Sequence, residues 1–143
     1  MVSELVNAFD SNDIRVHRRI FANALLHERS KIDLSRDYVA LQFLEEIAYM
    51  TRRGVLDKGM VWNSFFWFLE PYYLSLRQAP DLILAVRQQE QSRTVYREIE
   101  WLYKELCKVS VKEDGLSEYI PIAKEKITKR LLDETNLVIS TDP

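Results

Sequence analysis

Residues 61–76 read VWNSFFWFLEPYYLSL, and seven aromatic side chains fall within the twelve positions from Trp62 to Tyr73, in a chain that has sixteen in all (three Trp, seven Tyr, six Phe). On a helix, at about 100° per residue, Val61, Trp62, Phe65, Phe66, Leu69, Tyr72, Tyr73 and Leu76 share roughly one third of the circumference, a single seam expected to face a core. Trp67 and Leu74 lie together on the other side, and Phe68 lies between the two faces. One seam cannot bury all of these. Either neighbouring helices cover this helix all round, or Trp67, Phe68 and Leu74 form an exposed patch of the kind that marks an interface. Asp57 is placed to cap the helix start, and Pro71 is expected to bend or break it about one turn earlier.

On the N-terminal side, Asn12 to Glu28 sets Ile14, His17, Phe21, Ala24 and Leu25 at helical spacing, with Arg15, Arg18 and Arg19 on the flank. Ser35 to Arg53 reads as a second helix, capped by Ser35 and stopped by Gly54, with a wide apolar face. Its narrow polar side of Gln42, Glu45, Glu46, Tyr49, Arg52 and Arg53 reads as a solvated ion-pair face.

On the C-terminal side, Pro80 opens a long helix to about Val109, with Leu84, Val95, Tyr96, Ile99, Leu102, Tyr103, Leu106 and Cys107 on one face. That face turns polar through RQQEQSR, residues 87–93, so the helix projects, breaks or meets a partner there. A last helix from about Pro121 to Glu134 carries Ile120, Ala123, Ile127 and Leu131 among basic residues. The expected architecture is an all-α, compact bundle of about five helices: one domain over 1–143, with core helices within 11–109, a C-terminal helix within 117–134 and a tail from 135 to 143.

Composition narrows the function classes. A 47% hydrophobic, 29% charged chain with three Gly and four Pro suits a helical globular domain. With 20 Lys and Arg against 22 Asp and Glu, it lacks the positive field of a nucleic-acid or anionic-membrane protein, so nucleic acid is a disfavoured partner. A lone Cys107 rules out an intrachain disulfide and a multi-cysteine metal cage and suits a reducing, cytoplasmic setting. The longest apolar run in the aromatic stretch, Phe65 to Leu69, is far short of the roughly 20 residues of a membrane span.

No metal site or cofactor is expected: His17 and His27 do not converge, HExxH, DxDxDG and CxxC spacings are absent, and the three glycines are isolated. His17 reads as a core histidine and Cys107 as a small buried apolar group. One enzymatic alternative comes from RRIFANALLH: Arg19 and His27 resemble the Arg–His pair of small helical HEPN-type ribonucleases. Seven residues separate them, where that motif has four to six. A small-ligand sensor with an aromatic cavity is a third alternative.

From LEEIA, RRGVLD, VWNSFFWFLEPYY and EIEWLYKEL, in that order over about residues 36–106, the chain resembles a bacterial family of small helical proteins described as a domain of unknown function. The resemblance implies an all-helical fold and no known catalytic residue. The reading favoured here is a non-enzymatic interaction module, a homodimeric accessory or regulatory protein of a larger bacterial or phage system. Trp67, Phe68 and Leu74 form its interface. Arg15, Arg19, Gln88, Gln91 and Ser92 form a surface for a second, larger protein partner.

Overall fold

The aromatic stretch forms α4, Lys58–Arg77, whose first turn is closed by Asp57 Oδ1 accepting from the Met60 amide at 3.0 Å. Val61, Phe65, Leu69, Tyr72, Tyr73 and Leu76 are buried along the expected seam, and Trp62 and Phe66 are half-buried beside it. The Trp62 indole donates to Ser110 Oγ at 2.6 Å, which satisfies its one polar atom. Of the two outcomes expected at Pro71, a bend or a break, the break does not occur: α4 continues through it. Proline in a helix costs about 3 kcal/mol, which packing can offset where the helix is surrounded. Leu69, Glu70, Pro71, Tyr72 and Tyr73 are all buried here.

The computed structural model describes residues 1–36 and 38–140. Around α4 stand α1 (Val2–Phe9), α2 (Asn12–His27), α3 (Val39–Arg52), α5 (Leu82–Gln89), α6 (Arg97–Asp114) and α7 (Lys124–Thr135), with a short 3₁₀ turn at Arg29–Lys31. Among the described residues there is no strand, and α4 packs against each of the other six α-helices. Among the described residues the bundle therefore has seven α-helices where about five helices were expected.

The first extra helix is α1, whose Val2 and Phe9 are buried and whose Leu5 and Val6 are half-buried against the core. The second comes from the predicted fourth helix, which breaks within RQQEQSR. Gln91 and Tyr96 take left-handed φ values of 51° and 58°, Arg87 Nε donates to the Val95 carbonyl at 2.9 Å, and the Tyr96 hydroxyl donates to the Leu34 carbonyl. Leu84, expected on the core face, is exposed, while Ile83 and Val86 are buried.

Several local readings also shift. α3 starts at Val39, because Ser35 bonds back to Asp33 Oδ1 through both its amide and its hydroxyl. It ends as expected at Gly54, whose φ of 79° allows the Val55 amide to reach the Met50 carbonyl and its own amide to reach Thr51. Glu45 is not on a solvated face: it is half-buried and accepts the Ile99 amide at 2.9 Å, closing the first turn of α6. Burial raises its carboxyl above the usual range, opposed by the amides of Ile99 and Glu98. Ile120 and Ala123 precede α7 and are exposed; its buried residues are Ile127, Leu131 and Glu134.

The largest correction concerns α2. His17, read as a core histidine, is exposed, and the buried line is Arg18, Phe21, Ala22 and Leu25. Arg18 is 1% exposed. Its Nε and Nη2 grip Glu134 of α7 at 2.9 and 2.7 Å, and Nη1 donates to the Phe9 carbonyl and to Asp10, both at 3.0 Å. The guanidinium also lies 4.0 Å from the Phe9 ring centroid and 4.8 Å from that of Phe68. Tyr72 of α4 adds a hydrogen bond to Glu134 at 2.8 Å.

Removing one partner of such a pair strands a buried charge, so Arg18→Ala is expected to lower the free energy of unfolding by about 3–5 kcal/mol in urea titrations. Arg18→Met with Glu134→Leu, apolar on both sides, is expected to regain at least half of that loss. A double variant as unstable as the sum of the singles would show that the two side chains are not coupled.

Candidate functional site

At the junction of α1, α2, α4 and α7 a cleft of about 270 Å³ opens to solvent. Its walls include Asp10, Arg15 and Arg18 from the N-terminal side, Trp67, Phe68 and Pro71 from α4, and Arg130, Asp133 and Glu134 from α7. Arg18 and Glu134 line it, and Tyr72 is hydrogen-bonded to Glu134 in the interior. Burial pushes the Tyr72 phenol well above its usual range, and Glu134 adds to the effect. It therefore stays protonated and donates. Arg18 is pulled down by burial but pushed up further by Glu134 and Asp10, so its charge is secure.

A second cluster lies one turn away along α7. Glu70, 2% exposed, accepts from the Tyr103 hydroxyl at 2.9 Å and from Tyr119, and Arg130 Nη1 stands 3.8 Å from its carboxylate. Burial, and then Glu70, raise both phenols. Arg130 lies 3.5 Å from the Trp67 ring centroid. The ring thus has a guanidinium against one side, itself near a buried carboxylate, while Trp67 remains 61% exposed.

The residues proposed from sequence are distributed unevenly. Of the interface set, Trp67 is exposed, whereas Phe68 is half-buried with its ring 5.2 Å from that of Phe9, and Leu74 is half-buried against the core. Arg15 is turned toward the tail, donating to the Val138 carbonyl at 2.9 Å. Beside it, Asn12 and Ser140 exchange two hydrogen bonds. Arg19 lines a groove of about 410 Å³ with Val16, Ile20, Asn23, Thr135 and Ile139. Gln88, Gln91 and Ser92 line a different depression at the α5–α6 corner, with Leu84, Arg87 and Arg93.

Arg19 and His27 are both exposed on α2, and their spacing sets them about 12 Å apart along its axis and about 80° apart around it. Sequence reasoning missed Arg18, Glu70, Tyr72, Arg130 and Glu134. The one signal available was that Arg18, Phe21, Ala22 and Leu25 repeat at helical spacing as well as the His17 line does.

These surfaces belong to a chain that can now be placed by comparison, since residues 5–106 match a family described as a domain of unknown function, DUF4760. The chain belongs to the DUF4760 family. That match begins within α1, covers α2 to α5 and ends within α6, whereas α7 lies beyond it. No curated protein and no solved structure matches the chain. Among the described residues no helix is long and apolar enough to cross a membrane.

Cys107 is half-buried, and burial, aided by Glu70, raises its thiol to about 11 even though Tyr103 opposes the shift. At pH 8 the thiolate fraction is then about 0.001, against about 0.2 for an ordinary thiol near 8.5. Iodoacetamide is expected to label native DUF4760 chain at least about 100-fold more slowly than the urea-unfolded chain. Equal rates would show that burial does not hold the thiol protonated.

Proposed function

We propose that this chain is a non-enzymatic protein-interaction module that forms a homodimer through the face of α4 carrying Trp67, as an accessory or regulatory component of a larger bacterial or phage system. The observation that carries the reading is the Trp67–Arg130 pair: a largely exposed indole stacked against a guanidinium that approaches Glu70 to 3.8 Å. Trp and Arg are the residues over-represented at interface hot spots, and a side chain already held in one geometry loses less freedom on binding. Met60, seven residues before Trp67, is 55% exposed, and Leu74, seven after, is half-buried, so apolar side chains recur every two turns along this side of α4, with Asn63 and Ser64 between the first two. A second copy offers a matching line, which makes an isologous contact the simplest use of it.

The state of the ionisable groups supports binding over chemistry. Arg18 and Glu134 are committed to each other, Glu70 is taken up by the Tyr103 and Tyr119 hydroxyls, and the Cys107 thiol is raised away from reactivity. Light scattering over a dilution series is expected to give a mass of twice 17.0 kDa for the wild-type chain and 17.0 kDa for Trp67→Ala. The exposed position of Trp67 means that this variant should lose only about 1 kcal/mol of stability, so an unfolded control will not confuse the result. A wild-type chain that stays monomeric at every concentration would overturn the proposal.

A further inference from the structure

α7 docks by a charge code. Ile127 and Leu131 supply its buried apolar contacts, while Arg130 and Glu134, one turn apart and opposite in sign, meet Glu70 and Arg18 in the complementary order. The receiving charges, Arg18 on α2 and Glu70 on α4, both lie within the family-matched residues 5–106, and α7 lies outside them. α7 packs principally on α2 and α4 and makes no comparable contact with α6, its predecessor in sequence. The connection from Gly115 to Ala123 contains no helix, and apart from half-buried Tyr119 and Ile122 its residues are exposed.

These observations describe a tethered ligand in a helix-receiving groove. A buried ion pair is a poor device for stability alone, because apolar residues of similar size hold a helix as well, but it fixes register and rejects helices of the wrong charge order. The groove reads only the pattern on the helix, and a second copy of the chain carries the same pattern. We infer that the α2–α4 groove is a helix-binding site whose occupant, α7, is exchanged with the α7 of a second copy, Arg130 and Glu134 pairing with the groove charges of the other body. This deepens the self-association proposed above and rests on it for the encounter of two copies: α7 lines the same cleft as Trp67, so an exchanged helix would bring the second body to the Trp67 face.

The test uses the intact chain and a fluorescein-labelled peptide of residues 121–140. Tethering gives the resident helix an effective concentration in the mM range for a short linker, so the peptide is expected to bind the wild-type chain weakly. It should bind Glu134→Arg at least tenfold more tightly, because that chain's own helix no longer fits, and Arg18→Glu at least tenfold more weakly than wild type. Because either variant alone can fail to fold, Arg18→Glu and Glu134→Arg are also refolded together. Only exchange joins an undamaged groove to an undamaged helix, so a two-chain species containing both variants is expected from the mixture and from neither variant alone. A peptide that binds no form of the chain, with a mixture that yields no mixed species, overturns the inference. That result beside a wild-type dimer dissociated by Trp67→Ala would keep self-association through α4 and reject exchange. A mixed species formed while Trp67→Ala leaves the dimer mass unchanged would uphold exchange and reject the Trp67 interface.

Discussion

The guanidinium of Arg18 sits where α1, α2, α4 and α7 converge, and the arrangement of the bundle follows from the need to satisfy it. A charge almost wholly removed from water costs several kcal/mol unless its donors are met with good geometry. Here two nitrogens grip the Glu134 carboxylate side by side, the third is shared between the Phe9 carbonyl and Asp10, and two phenyl rings flank the group. Each contact fixes a different element: Phe9 places the end of α1, Glu134 places α7, and the Tyr72 hydroxyl, bonded to the same carboxylate, ties α4 to both. None of these elements can slide by a residue without stranding a buried charge.

The Glu70 cluster repeats the device with the sign reversed. There a buried carboxylate of α4 gathers hydroxyls from α6 and from the connection before α7, and Arg130 approaches from α7. Two charge contacts of opposite sign, one helical turn apart, give α7 a unique orientation and register, which an apolar stripe of Ile127 and Leu131 alone would leave loosely specified. The same contacts shape the outer surface. Arg130, near Glu70 on one side, lies 3.5 Å from the centre of the Trp67 ring on the other, at the rim of the cleft. The exposed feature on which the functional reading rests is therefore a consequence of how the last helix is held.

Much of the helix-level organisation was legible from local signals. The α4 seam, the Asp57 cap and the Gly54 stop are each set by residues within a few positions of one another, and each appears where those residues require it. The polar interruption at RQQEQSR was equally visible, and the corner it forms was one of the outcomes it allowed. α1 was missed although Val2, Leu5, Val6 and Phe9 have helical spacing, because a stretch of eight residues is too short to stand on propensity and depends on Phe9 finding a core.

The misplaced face of α2 shows where local reasoning ends. His17 and Arg18 compete for the same buried line, and intrinsic solvation favours the imidazole as the residue to bury. The outcome reverses because Glu134, 116 residues further on, is brought to Arg18 by the fold. Glu45 and Glu70 tell the same story: carboxylates whose own helices offer no partner find an amide of Ile99 or a pair of phenols across the bundle. The sequence by itself determined the helical class, the aromatic seam and the turns, since those depend on neighbours along the chain. Only the tertiary structure decided which charged residues lie inside and why Trp67 stands at the surface, because the stability of a buried charge depends on a partner that sequence distance conceals.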